Sequence, residues 1–270
     1  MNDLTVSLVQ GATRWHDPAG NRDYYGGLIE PLAGRTDLVV LPETFTSGFS
    51  NDAIDQAEDM HGPTLEWMRS MARRLDAAVT GSVQLRADGA GGEGVYNRML
   101  FATPEGDVRH YDKRHLFRYA GEHKRYAAGG ERLVVAWRGW RILPMVCYDL
   151  RFPVWMRNRR DAGAGAGMEY DVMVCVANWP TPRRHAWRTL LRARSIENLG
   201  YGIGVNRVGV DGNEQCYSGD SAALDPLGET LVDLGAQEQV VTVTLDAQRL
   251  RDYREHFPAW MDADDFTLDL

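Results

Sequence analysis

Short apolar runs rich in β-branched residues recur from one end of the chain to the other, at residues 5–9, 37–41, 78–83, 142–147, 172–177, 202–206 and 240–245. Runs this short and this apolar read as strands buried on both faces. Segments with helical periodicity lie between several of them. The first opens at Pro63, with Leu65, Met68, Met71, Ala72 and Leu75 on one face and Arg69, Arg73 and Arg74 turned away. Proline suits that first turn, where its missing N–H would have no partner. The second spans about 185–199, with Trp187, Leu190, Leu191 and Ile196 apolar and Gly200 placed to stop it. Strands alternating with helices predict an α/β fold. No repeat and no Pro/Ser-rich or charge-rich linker divides the chain, so residues 1–270 are expected to form a single domain.

The chain has 44% hydrophobic and 25% charged residues, ordinary globular usage, and its 270 residues can bury a core without disulfides. With 30 Lys and Arg against 38 Asp and Glu, the net charge is −8, the wrong sign for a protein that binds nucleic acid by neutralising phosphates. Cys147, Cys175 and Cys216 are odd in number and far apart, which excludes a paired framework and a CxxC site. The longest uncharged stretch, 172–182, falls well short of the ~20 residues of a membrane helix. No basic residue precedes Arg14, unlike a secretory signal, so a cytoplasmic location is expected. The alternating Ala/Gly stretch at 162–167 precedes a strand and lacks the spacing of a dinucleotide-binding loop. It reads as a surface loop after a helix over 153–160.

Cys147 ends an apolar strand, polar residues follow at once, and Pro153 suits the start of a helix. A thiol at a strand-to-helix turn faces the unpaired N–H groups of the helix, which favour a thiolate and an oxyanion alike. Cysteine is also among the most buried residue types, and the local sequence does not choose between nucleophile and core. Cys175, inside an apolar run, reads as core, and Cys216 as a loop residue. An ordinary thiol is only a few per cent ionised at neutral pH, so a nucleophilic cysteine needs a base or a cation. Glu43 lies just beyond the end of a strand, the edge where α/β proteins place their sites, and Lys113 follows a strand-like run beginning near Met99. Each alone is equally a solvated charge. The seven histidines show no metal-ligand spacing, so no metal is expected. Gly219-Asp220-Ser221 lacks a nucleophile elbow and reads as a structural turn.

Taken in order, Pro42-Glu43, Tyr111-Asp112-Lys113-Arg114-His115-Leu116-Phe117 and Cys147-Tyr148-Asp149-Leu150-Arg151-Phe152-Pro153 resemble the Glu, Lys and Cys motifs of the nitrilase superfamily of carbon–nitrogen hydrolases. Glu122 occupies the place of the family's second glutamate, and 219–228 resembles its Gly-x-Ser strand and Pro-x-Gly turn. With Asn178-Trp179-Pro180 and Asn206-Arg207-Val208-Gly209, the chain looks most like bacterial ω-amidases, which hydrolyse 2-oxoglutaramate and related ω-amides.

The resemblance implies a four-layer α-β-β-α sandwich, no cofactor, and a homodimer or higher homo-oligomer with a C-terminal tail, about 253–270, reaching toward the partner. It implies Cys147 as nucleophile, Glu43 as general base, Lys113 as oxyanion stabiliser, and Glu122 as a carboxylate supporting Lys113 and the substrate amide. The expected reaction is release of ammonia from the terminal amide of small ω-amido dicarboxylates through a thioester. Nitrilase, aliphatic amidase or N-carbamoyl amino acid hydrolase activity on the same residues is the alternative. A non-catalytic binding protein on the same fold would have no need of four such groups at matching sites. For a carboxylate at the far end of the substrate, Arg151 is the nearest candidate, with a salt bridge under the nucleophile turn as its equal alternative. Tyr148 is a further candidate for substrate binding. Phe45 and Trp179 are candidates either to wall the pocket or to pack in the core.

Overall fold

In a computed structural model, the structure describes residues 1–89, 92–160 and 167–268. The N-terminal half runs β1 (Leu4–Gln10), α1 (Pro18–Ile29), β2 (Leu38–Val40), α2 (Pro63–Leu75), β3 (Ala78–Gly89), β4 (Gly92–Ala102) and β5 (Val108–Asp112). The second half runs β6 (Val135–Trp137), β7 (Trp140–Val146), α3 (Pro153–Met156), β8 (Val172–Ala177), α4 (Arg184–Glu197) and β9 (Tyr201–Asn206). It closes with the hairpin β10 (Val208–Val210) and β11 (Cys216–Ser218), then β12 (Ala222–Leu224), β13 (Thr230–Asp233), β14 (Gln239–Leu245) and α5 (Ala247–His256).

Each of the two large sheets is built around three parallel strands. In the first sheet β1, β2 and β3 are parallel, and the order is β14-β1-β2-β3-β4-β5 with antiparallel strands outside them. In the second, β7, β8 and β9 are parallel within the order β13-β12-β9-β8-β7-β6. Parallel neighbours need crossover connections, which α1, α2, α3 and α4 supply.

The period-2 alternation of the strands explains the layers. On β8, Val172, Val174 and Val176 join Leu4, Val6, Val40 and Ile203 in a core between the two sheets. Met173, Cys175 and Ala177 point the other way, against Trp187 and Leu191 of α4. Val39 and Leu41 meet Leu65, Met68 and Leu75 of α2 on the outside of the first sheet. The result is the four-layer α-β-β-α sandwich, with each large apolar side chain contributing about 1.5–3 kcal/mol by burial. The outer layer fits tightly at β9, where a Cβ on Gly204 would lie 2.5 Å from Leu191 Cδ2 and 2.8 Å from Trp187 Cζ2.

Several local expectations change. The helix opening at Pro153 ends at Met156, because the chain turns extended at Arg157 and Asn158 is pinned by bonds to Tyr170 and Asn198. The strand-like run before Lys113 is two strands, β4 and β5, paired as a hairpin. At the end of α4 the left-handed residue is Leu199 (φ 48°) rather than Gly200. Gly200 is instead required by a close approach, since a Cβ there would sit 3.0 Å from the Asp171 carbonyl oxygen. Ile196 is 45% exposed and lies over Gly228 rather than in the core. Cys216 is exposed, but on strand β11 and not in a loop.

Residues 162–166 of the Ala/Gly stretch lie outside the described residues. Gly167 packs against the Trp260 ring. The tail lies along its own chain: Arg160 donates to the Trp260 and Met261 carbonyls, and Leu268 packs against the inter-sheet core. Among the described residues, no helix is long and apolar enough to cross a membrane.

Candidate active site

Glu43 stands just past β2, at the C-terminal edge of the parallel strands, and is fully buried. Its Oε1 accepts from Asn97 Nδ2 at 2.8 Å and Lys113 Nζ at 2.9 Å, and its Oε2 from the Asn178 N–H at 2.7 Å. Asn178 Nδ2 in turn donates to the Glu43 carbonyl at 2.7 Å, which fixes the orientation of that amide. Lys113 follows β5 and is 1% exposed, with Nζ 3.0 Å from both oxygens of Glu122 and 5.3 Å from the centre of the Phe49 ring. Burial works against the ammonium, yet Glu122 and Glu43 outweigh it and hold the Lys113 pKa well above its ordinary value. Burial also raises the Glu122 carboxyl, against the pull of Lys113. Glu122 lies behind Lys113, where it accepts from the Phe117 N–H at 2.6 Å. It is not among the residues on the cavity wall, and its contact with Lys113 is direct.

Cys147 follows β7 directly and opens a 3-10 turn, Cys147–Arg151; α3 begins at Pro153, the helix start expected from the sequence. Its φ is +48°, a left-handed conformation that costs a non-glycine residue about 1–3 kcal/mol and persists only where the surroundings enforce it. Asp149, fully buried, supplies the enforcement. It accepts from the Val146 N–H at 3.1 Å, the Tyr111 hydroxyl at 2.9 Å and the His115 N–H at 2.9 Å, with His115 Nδ1 at 2.8 Å. One carboxylate therefore joins the turn of Cys147 to the segment that carries Lys113. His115 is committed to Asp149 and to stacking on Phe152 at 3.8 Å. Burial first, then the charge of Glu43, push the Cys147 thiol well above its ordinary pKa, although Lys113 opposes them. Both effects disfavour the thiolate, and Glu43 stands beside the sulfur as a base for its activation.

A cavity of about 260 Å3 opens over these groups, with Glu43, Lys113 and Cys147 on its wall. Tyr148, Arg151 and Trp179 line it as expected from their positions. Phe45 does not. The left-handed Thr44 (φ 42°) turns the chain, and Phe45 is buried between the first sheet and its outer helices, 5.8 Å from the Tyr25 ring and 5.7 Å from the Trp67 ring. Phe49 and Phe117 supply aromatic wall instead. Arg183 also lines the cavity, and no sequence motif pointed to it. The Arg151 guanidinium lies 4.9 Å over the Trp179 ring, and that of Arg183 5.3 Å over Phe117 and 5.6 Å over Tyr119. Neither guanidinium has a carboxylate partner among the described residues. Cys175 lies on the far side of β8, where burial raises its thiol. Among the described residues, no group of three His, Cys, Asp or Glu side chains is placed to hold a metal ion.

The sequence matches the Carbon-nitrogen hydrolase family over residues 5–255. The chain belongs to the carbon–nitrogen hydrolase family. This carbon–nitrogen hydrolase is 46% identical to "Omega-amidase YafV" of Escherichia coli (strain K12), over 99% of this chain and 100% of that one. It is 32% identical to the "2-oxoglutaramate amidase" of Bacillus subtilis (strain 168), over 98% of each. Its fold matches the crystal structure of XC1258 from Xanthomonas campestris, a CN-hydrolase superfamily protein with an arsenic adduct in the active site. That match has a TM-score of 0.96 and 62% identity, covering 100% of both chains. The enzyme is thus a hydrolase of carbon–nitrogen bonds, and the sandwich is that of the nitrilase superfamily.

Proposed function

We propose that this carbon–nitrogen hydrolase removes the terminal amide of small ω-amido dicarboxylates, such as 2-oxoglutaramate or 2-oxosuccinamate, releasing the acid and ammonia. One observation carries the reading: a single cavity has Cys147, Glu43 and Lys113 on its wall together with the unpaired guanidiniums of Arg151 and Arg183. An amide carbon at Cys147 would thus share the cavity with a carboxylate held by a cation. The names of the Escherichia coli and Bacillus subtilis relatives point to the same class.

In the proposed sequence Glu43 takes the thiol proton as sulfur attacks the amide carbon. The Lys113 ammonium and the Tyr148 N–H hold the oxyanion, each such donor contributing about 3 kcal/mol. In the resting site Lys113 is bonded to Glu43 and Glu122. Protonation of Glu43 weakens its bond to Lys113 and releases an N–H at the moment the oxyanion forms. Glu43 then passes its proton to the amide nitrogen, the C–N bond breaks, ammonia leaves and a thioester remains. Water, deprotonated by Glu43, attacks the thioester; its collapse gives the acid and returns the proton to sulfur. Arg151 reads the far carboxylate.

The reading includes a reducing cytoplasm, which keeps the working thiol free, and a homodimer, for which exposed Ile196, Leu227 and Leu231 offer apolar surface. Ammonia release from 2-oxoglutaramate, butyramide, a simple nitrile and an N-carbamoyl amino acid, by the wild type and by Cys147→Ala, tests the activity. The expected result is a preference for 2-oxoglutaramate of at least about tenfold in kcat/KM and no turnover by a folded Cys147→Ala. Preference for the nitrile, or an active variant, overturns the reading.

A further inference from the structure

The segment between β8 and α4 carries an arginine with no carboxylate partner among the described residues. Arg184 and Arg188, its neighbours on α4, both bond to the buried Asp220, at 2.6 and 3.0 Å. Arg183 does not join them. Its own N–H is tied to the Pro180 carbonyl at 2.9 Å, which holds it in a 3-10 turn, Thr181–Arg183, that precedes the helix. From there the guanidinium lies on the Phe117 and Tyr119 rings at the cavity wall.

Arg151 reaches the same cavity from the nucleophile turn, and Trp179 connects the two. The face of that indole carries the Arg151 guanidinium, while its Nε1–H donates to the Arg183 carbonyl at 2.8 Å. Of the acidic residues on the wall, Glu43 is bonded to Lys113, Asn97 and Asn178, and Asp211 accepts from the N–H groups of Asn213 and Gln215 and from the Tyr217 hydroxyl. Two cations with donors to spare are therefore set on aromatic platforms joined through Trp179. Stacking leaves the in-plane N–H fork of each guanidinium available.

We propose that Arg183 is a specificity-determining residue that, with Arg151, binds the 2-oxo acid end of the substrate and disfavours the 2-amino acid equivalent. This rests on the ω-amidase reading and adds to it a residue and a basis for discrimination. A 2-oxo carboxylate presents three acceptor oxygens and no donor, which suits two donor-only guanidiniums. A 2-amino acid replaces one acceptor with an ammonium, which both guanidiniums repel.

The experiment compares the wild type with Arg183→Met and Arg183→Lys on 2-oxoglutaramate, glutamine and neutral butyramide. Arg184→Gln serves as a control that removes an adjacent charge outside the cavity. Arg183→Met should raise KM for 2-oxoglutaramate by about 10- to 100-fold, the worth of a charged hydrogen bond, with a much smaller change in kcat. Its loss on butyramide should be at least about tenfold smaller, and the preference for 2-oxoglutaramate over glutamine should fall. Arg183→Lys should recover part of the loss, and Arg184→Gln should show none of this pattern. Equal losses on all three substrates, an unchanged KM for 2-oxoglutaramate, or the same effect in Arg184→Gln overturns the role of Arg183 while leaving the activity standing. Absence of wild-type turnover of 2-oxoglutaramate overturns both.

Discussion

Thr44 and Cys147 adopt left-handed backbone conformations next to the two groups that exchange a proton in the proposed mechanism. At Thr44 the turn keeps Glu43 facing the cavity and sends Phe45 into the outer layer. Phe45→Ala is therefore expected to cost about 3–5 kcal/mol by opening a void between Tyr25 and Trp67, lowering Tm by roughly 10 °C with KM for the amide unchanged. A raised KM at unchanged Tm would return Phe45 to the cavity wall. The motif residues Glu43, Lys113 and Cys147 were legible because their order and spacing carry a family resemblance. Phe45 was not, since its direction depends on one φ angle that a Thr does not announce. Asn97, Asn178 and Arg183 were hidden for another reason. Their roles arise from contacts across the sandwich, such as the bond from Asn178 to Glu43 across 135 residues.

Strands and helices were readable in proportion to their burial. β8, buried on both faces, appears as an unbroken apolar run, and α2 as a clean stripe with arginines opposite. β10 to β13 have three or four residues each and take their shape from pairing, so no local pattern marks them. α1 contains three glycines, and is held by Tyr25 and Ile29 on its buried face, by the buried Asn21, which bonds to Arg14 and Thr46, and by the Asp17 cap. The glycines of β9 were legible as strand but not as packing sites. Gly204→Val would drive a side chain into Leu191 and Trp187, and the expected cost is about 1–3 kcal/mol. Urea denaturation should show a lower midpoint at an unchanged slope. An unaltered midpoint would mean that α4 is less closely seated on β9 than described.

The whole molecule puts its chemistry where its halves meet. Glu43 and Lys113 come from the first sheet and Cys147, Arg151 and Asn178 from the second, so the site exists only when the two sheets are packed face to face. Asp149 joins the two sides through Tyr111 and His115, and Asn178 joins them through Glu43. This placement also accounts for the raised thiol: the inter-sheet position sets Cys147 beside the Glu43 carboxylate, and both burial and that charge disfavour the thiolate. In the proposed mechanism hydrolysis passes through an acyl group on that sulfur. Rapid acid quenching of the enzyme during turnover of 2-oxoglutaramate, followed by mass mapping of its peptides, tests it most directly. The expected result is a 2-oxoglutaryl thioester on the peptide containing Cys147, and none on those containing Cys175 or Cys216. Sustained ammonia release with Cys147 unacylated at every quench time would contradict it.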